Sequence, residues 1–226
     1  MLLKLFSKPS ITMFSLVFAI IITSQFMAYY FRSEASKIGM SILSPLHKID
    51  SIERLSIEYQ SSINGVELKK LKTLFSILSQ KKEHHKLIFM EMYRYHFASV
   101  TMLIILSSIS AVFIFIAAQN GIRNANPNFQ ITFYVLAALT TFYALSPVVY
   151  KQDTSISSNL NSYIKFDNLQ SQVYNYALVT TSDTAITDSV SFIRFHSSII
   201  DKIQELNKID LQFDYKSIPS PDFFKN

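Results

Sequence analysis

The sequence predicts an all-α integral membrane protein, with three transmembrane helices and an extramembrane antiparallel helical bundle continuous with them. Three observations predict it. Residues 10–31, 97–121 and 129–150 are apolar runs without a charged side chain, each long enough to cross a hydrocarbon core of ~30 Å as a helix of ~20 residues. Between and after these runs, apolar residues recur every three or four positions, the spacing of one helix face. Glycine occurs only 3 times in 226 residues, which disfavours a glycine-rich barrel or a phosphate-cradling loop.

The N-terminal tail, 1–9, carries Lys4 and Lys8. Residues 10–31 follow as the first transmembrane helix. The run is too long for the apolar region of a cleaved signal peptide. The small pair Ser33 and Ala35 lies beyond Arg32, after bulky Tyr29, Tyr30 and Phe31, so a retained anchor is expected. Residues 32–96 read as an extramembrane helical hairpin. Its first stripe is Ile38, Ile42, Leu46, Ile49, Ile52, Leu55, Tyr59 and Ile63, with Pro45 a start or a kink. Asn64-Gly65 signals a turn, and Asn64 with Glu67 has capping-box spacing. The second stripe is Leu68, Leu71, Phe75 and Leu78, then Phe89 and Met92. No breaker separates it from the next apolar run, so one long rod is expected.

Residues 97–150 form a transmembrane hairpin, reversed by Asn120, Gly121, Asn124, Asn126 and Pro127. Arg123 is the one ionisable residue of that connection, and Pro147 is expected to kink the last span. Residues 151–208 return to amphipathic helix in two segments. The first stripe is Ile156, Leu160, Tyr163, Phe166, Leu169, Val173 and Tyr176. The second is Ile186, Val190, Ile193, Ile200, Ile203 and Leu206. Along 209–226, Ile209, Leu211, Phe213 and Tyr215 alternate with polar residues, predicting an extended arm that ends in a tail with Pro219 and Pro221. Four amphipathic helices on one side of the membrane can bury their stripes together as a bundle. A partner protein covering those stripes is the alternative.

Aromatic and basic residues mark the expected membrane interface at Tyr29, Tyr30 and Arg32, at Tyr93, Arg94 and Tyr95, and at Tyr150 and Lys151. The spacing of the second stripe beyond Leu78 lands on Lys82 and His85, inside the run KKEHHK. An antiparallel fold about Asn64 sets these opposite His47 and Asp50, giving an ionisable cluster in the bundle. The bland alternative is that the helix rotates locally and the run is solvated. Ser107 with Ala111, and Ala137 with Thr141, have small-xxx-small spacing, which favours close helix packing.

Function classes narrow mainly by absence. There is no cysteine, which removes disulfides, thiolate catalysis and cysteine zinc sites. His47 and Asp50 share a face but make only two ligands, so no metal and no cofactor are expected. A net charge of +5 without a basic, aromatic-interleaved stripe argues against nucleic acid. No nucleophile-elbow, zincin, P-loop or dinucleotide motif occurs, and no enzyme is expected. No ionisable residue falls within a span, which disfavours an ion-coupled transporter. The expected partners are the lipid bilayer and either further copies of the chain or a membrane or soluble protein. The expected location is multi-pass in a membrane, the inner one in bacteria. The count of Lys and Arg near the membrane ends leans towards a cytoplasmic bundle, although per residue the two sides are close.

The layout of residues 66–180, helix, span, short loop, span, helix, resembles the two-span helical effector domains of bacterial conflict systems. The first span is additional to that layout, and no residue motif is shared. The resemblance implies oligomerisation and membrane permeabilisation. An accessory subunit whose bundle docks a partner, and a helical-bundle sensor, are the other readings.

Overall fold

The computed structural model describes residues 11–59, 65–122, 125–182 and 189–217, with side chains described over 13–43, 65–119, 121–122, 125–178 and 190–207. Among the described residues there are five helices and no strand: α1 (Ile11–Tyr59), α2 (Gly65–Asn120), α3 (Pro127–Val149), α4 (Gln152–Ser182) and α5 (Ser189–Ser217). The expected long rod is present, since α2 runs unbroken for 56 residues. At 1.5 Å per residue it measures roughly 84 Å, well over twice what a bilayer core requires. Helix α1 is likewise one element of 49 residues that passes through Pro45.

The chain divides into two compact units. Residues 1–40 and 90–153 form unit 1, and residues 41–89 and 154–226 form unit 2. In unit 1, α1, α2 and α3 meet around Ala28, Met102, Leu106, Leu136 and Tyr143. The outer faces are the informative ones. Phe14, Phe18 and Phe26 on α1, Ile114 and Phe115 on α2, and Phe142, Leu145 and Val148 on α3 are all more than half exposed. Leaving one such side chain in water forgoes about 1.5–3 kcal/mol. Summed over eight, that loss is comparable to the 5–15 kcal/mol that typically holds a domain together. Faces of this kind suit the acyl chains of a bilayer. The three helices are long and apolar enough to cross a membrane, and only 11%, 22% and 11% of their most apolar windows are buried inside the protein.

Local chemistry sets the ends of the hairpin. Gly121 takes a left-handed φ of 75° and its N–H returns to the Ala117 carbonyl at 2.9 Å, the usual way a helix stops. Asn126 caps α3, its side chain accepting from the Asn128 N–H at 3.0 Å, and Pro127 opens the first turn. Pro147 stays inside α3. The break comes at Lys151, a non-glycine residue at φ 46°, where the left-handed conformation costs roughly 1–3 kcal/mol. Pro147 has no N–H to give, and the Tyr150 N–H still reaches the Ser146 carbonyl at 3.1 Å.

Unit 2 has its own core, built from Leu71, Leu74, Phe75 and Leu78 of α2, Phe166, Leu169, Val173 and Ala177 of α4, and Phe192, Ile199 and Ile203 of α5. Two expectations need correction here. Val190 and Ile193 were expected to face inward but are 50% and 57% exposed. Phe192 and Phe195 turn inward instead, and Phe195 stacks on Tyr176 at 4.0 Å between ring centroids. Two aromatic rings bury more apolar area than Val and Ile, and that sets the rotation. Second, α5 continues to Ser217, so Ile209, Leu211, Phe213 and Tyr215 lie on a helix and not on an extended arm. A lone strand has no ladder partner, whereas extending an existing helix satisfies each added N–H locally. Asn64, Arg123, Asn124, Ile186 and the tail beyond Ser217 lie outside the described residues.

Unit 1 is drawn together along a seam of small residues on α1. Ser24, Ala28, Ala35 and Gly39 are all buried. A Cβ at Gly39 would sit 2.8 Å from the Met90 Sδ and 3.4 Å from the Tyr93 ring. Gly39→Ala should therefore be accommodated by a turn of the flexible Met90 side chain. Gly39→Leu should wedge α1 from α2 and destabilise the protein by about 1–3 kcal/mol, measured as a lowered unfolding midpoint in detergent.

Candidate functional site: a buried polar seam and an interfacial collar

The stripe on α2 continues past Leu78 at steps of four and three to Lys82, His85 and Phe89. On α4 the matching positions are Asn159, Tyr163, Phe166, Gln170 and Val173. Lys82 and His85 are therefore carried to the interior, where they are 3% and 5% exposed, with Lys86 beside them at 7%. The alternative in which this run is solvated does not hold for these three. The Lys82 Nζ donates to Asp167 Oδ1 at 3.1 Å and lies 5.9 Å from the Tyr163 ring centroid. The Asn159 amide donates to the Ser155 carbonyl at 2.8 Å, which turns its oxygen towards His85. The His85 Nδ1 then carries a proton and donates to Asn159 Oδ1 at 2.9 Å. The imidazole lies nearly parallel to Phe166, 5.4 Å away. Lys86 reaches Glu83 on its own helix at 3.0 Å.

Of the expected cluster, Lys82 and His85 are together in the interior of unit 2. The side chains of His47 and Asp50 lie outside the described residues. The α4 partners, Asp167 and Asn159, escaped sequence reasoning. The available signal was the α4 stripe itself, which steps back from Tyr163 to Asn159 and sets Asp167 beside Phe166. Gln170, 1% exposed, has an Oε1 without a hydrogen-bond partner among the described residues. The seam is thus a polar layer interrupting an apolar core. Such a layer contributes little net stability, but it penalises any slippage that would strand a buried charge. Among the described residues no three His, Asp or Glu side chains converge as metal ligands.

The second constellation lies in unit 1, where the ends of the three apolar helices meet. The Arg32 guanidinium of α1 sits over the Tyr95 ring of α2, 4.4 Å from its centroid, a cation–π contact. His96 of α2 approaches Asp153, Nε2 to Oδ1, at 3.4 Å. Arg94 pairs with Glu91 at 2.9 Å and Lys37 with Glu34 at 2.6 Å. Tyr29, Tyr30 and Tyr150 are more than half exposed, Tyr95 is 38% exposed, and Lys151 is exposed. Tyr93 is half-buried against the Gly39 position. All eight residues expected at the interface thus belong to this unit, and Arg32 and Tyr95 touch each other.

The small residues named for helix packing sit elsewhere. Ser107, Ala111, Ala137 and Thr141 are all exposed. Thr141 donates to the Ala137 carbonyl of its own helix at 2.9 Å. Contact between α2 and α3 inside the chain runs instead through Ser110 and Thr140, 3.3 Å apart, and through the Phe113–Phe129 stack at 5.0 Å. Ser24 of α1 meets the Tyr143 hydroxyl at 3.3 Å. The α1 seam had the same signature, in Ser24 with Ala28 and Ala35 with Gly39.

Among the described residues the fold defines an all-α protein with three helices long and apolar enough to span a bilayer and a second helical unit with its own core. Comparison with protein-family models, with curated proteins and with solved structures gives no match, and the reading rests on the physical chemistry of this chain.

The seam makes a quantitative prediction. Asp167→Leu removes the carboxylate to which the buried Lys82 ammonium donates and should destabilise unit 2 by about 3 kcal/mol. Adding Lys82→Met should recover at least half of that loss. Thermal unfolding followed by circular dichroism of the single and double variants measures both.

Proposed function

We propose that this protein is a non-enzymatic membrane subunit that works as an oligomer, of the effector or pore-forming type, with its helical unit on the cytoplasmic side. One observation carries the reading. The hairpin helices leave Ser107, Ala111, Ala137 and Thr141 on their exposed faces. Small residues facing acyl chains gain little. Against a second helix they allow close backbone approach and dispersion contact. The absence of an ionisable side chain from residues 97–122 fits a span that packs with its neighbours better than one that relays ions. The two-span effector layout noted above supports the same reading. A second reading, an accessory subunit that docks a partner, is favoured by the exposure of Val190 and Ile193 on α5 of unit 2.

Purified wild-type protein should run as a multimer by native mass spectrometry and release dye from liposomes. Ser107→Leu with Thr141→Leu should weaken association roughly tenfold and reduce leakage in parallel. A monomeric wild type with no leakage would remove this reading and leave the docking one. The chain has no native cysteine, so a single cysteine at Ser191 reports its side of the membrane. It should react with an impermeant maleimide only once the membrane is opened.

A further inference from the structure

We propose that the collar of unit 1 binds the phosphate of an anionic phospholipid headgroup, with Arg32 as its main contact. The argument begins with charge pairing. The described ionisable groups of the collar include three carboxylates. Glu34 is paired with Lys37 and Glu91 with Arg94, and Asp153 lies 3.4 Å from His96 Nε2. Arg32 has no carboxylate partner among the described residues. Its guanidinium carbon lies 4.4 Å from the centroid of the Tyr95 ring, and its Nε is buried without an acceptor. The residue as a whole is only partly buried.

Position supplies the acceptor. Arg32 follows directly on the first apolar run, beside exposed Tyr29 and Tyr30, where aromatic residues lie at headgroup level. The commonest anionic acceptor at that depth is the lipid phosphodiester, and a planar guanidinium fork matches its oxygens two at a time. The sign of the collar selects the headgroup. Arg32, Lys37, Arg94 and Lys151 outnumber Glu34, Glu91 and Asp153. A choline or ethanolamine headgroup brings its own cation into a site already in positive surplus. A headgroup with net negative charge does not.

The test uses full-length protein, stripped of lipid in detergent and then offered phosphatidylglycerol or phosphatidylcholine in mixed micelles. Retained lipid is counted by native mass spectrometry. The wild type should retain phosphatidylglycerol about fivefold better than phosphatidylcholine. Arg32→Gln should bring the two lipids level, and Lys202→Gln, on α5 of unit 2 and no part of the collar, should leave the preference in place. Equal retention by the wild type, or a preference that survives Arg32→Gln, overturns the proposal. So does full displacement of phosphatidylglycerol by millimolar inorganic phosphate, which would mark a site for the free ion. If Arg32→Gln does not fold, Arg32→Lys and Tyr95→Leu read the same contact, since one keeps the charge without the fork and the other the fork without its ring. Both should lower the preference at least twofold, and no change in either overturns the assignment.

Discussion

A peptide group inside hydrocarbon has no water to turn to, and this constraint shapes the whole chain. Each N–H that enters the bilayer must find its carbonyl within its own helix, because an unsatisfied group there costs several kcal/mol. The chain meets the demand with helices that do not stop at the membrane surface. Helix α2 runs from Gly65 to Asn120 without interruption, so no helix end, with its four unpaired groups, falls between its apolar and amphipathic parts. Where the chain does turn, the turn is chemically provided for. Gly121 returns its N–H to Ala117, and Asn126 caps the helix that follows.

Solvent divides the remaining work between the two units. In unit 1 the outer surface is apolar and the inner contacts are small and weakly polar, including Ser24 with Tyr143 and Ser110 with Thr140. There is no hydrophobic force between helices in lipid, so fit and hydrogen bonding decide which faces meet. In unit 2 the balance reverses. Apolar side chains of α2, α4 and α5 are gathered by exclusion from water. The polar seam at Lys82 and His85 then refines an arrangement that burial has already chosen. Removing a charge from water is expensive, and Asp167 and Asn159 offset part of that cost.

Much of this was legible beforehand, and the reasons are specific. The three spans follow from length and the absence of charge. The continuity of α2 follows from the lack of any Gly or Pro between Val66 and Asn120. Extending one spacing by two steps carried Lys82 and His85 to the inward face, but a locally rotated, solvated run was an equal claim until α4 was packed against it. Three features were misread or missed, each where two readings were close in energy. On α5, Val190 and Ile193 compete with Phe192 and Phe195 for the inward face. At Ile209–Tyr215, a period of two over so few residues competes with the continuation of a helix already formed. In unit 1, several small-xxx-small pairs have equal claim by spacing, and those at Ser24 and Gly39 face inward while those at Ser107 and Thr141 do not.

Local chemistry alone therefore determined which segments up to residue 208 are helical, which of them are fit for lipid, and where the hairpin of α2 and α3 reverses. Those properties depend on the period of apolar residues, on charge, and on the backbone habits of Gly, Asn and Pro at single positions. Tertiary structure decided which faces meet, which partner each buried polar group found, and that Arg32 came to rest on Tyr95. Those choices depend on summed contact area and on the rotation of one helix against another. Neither quantity exists until at least two helices are packed together.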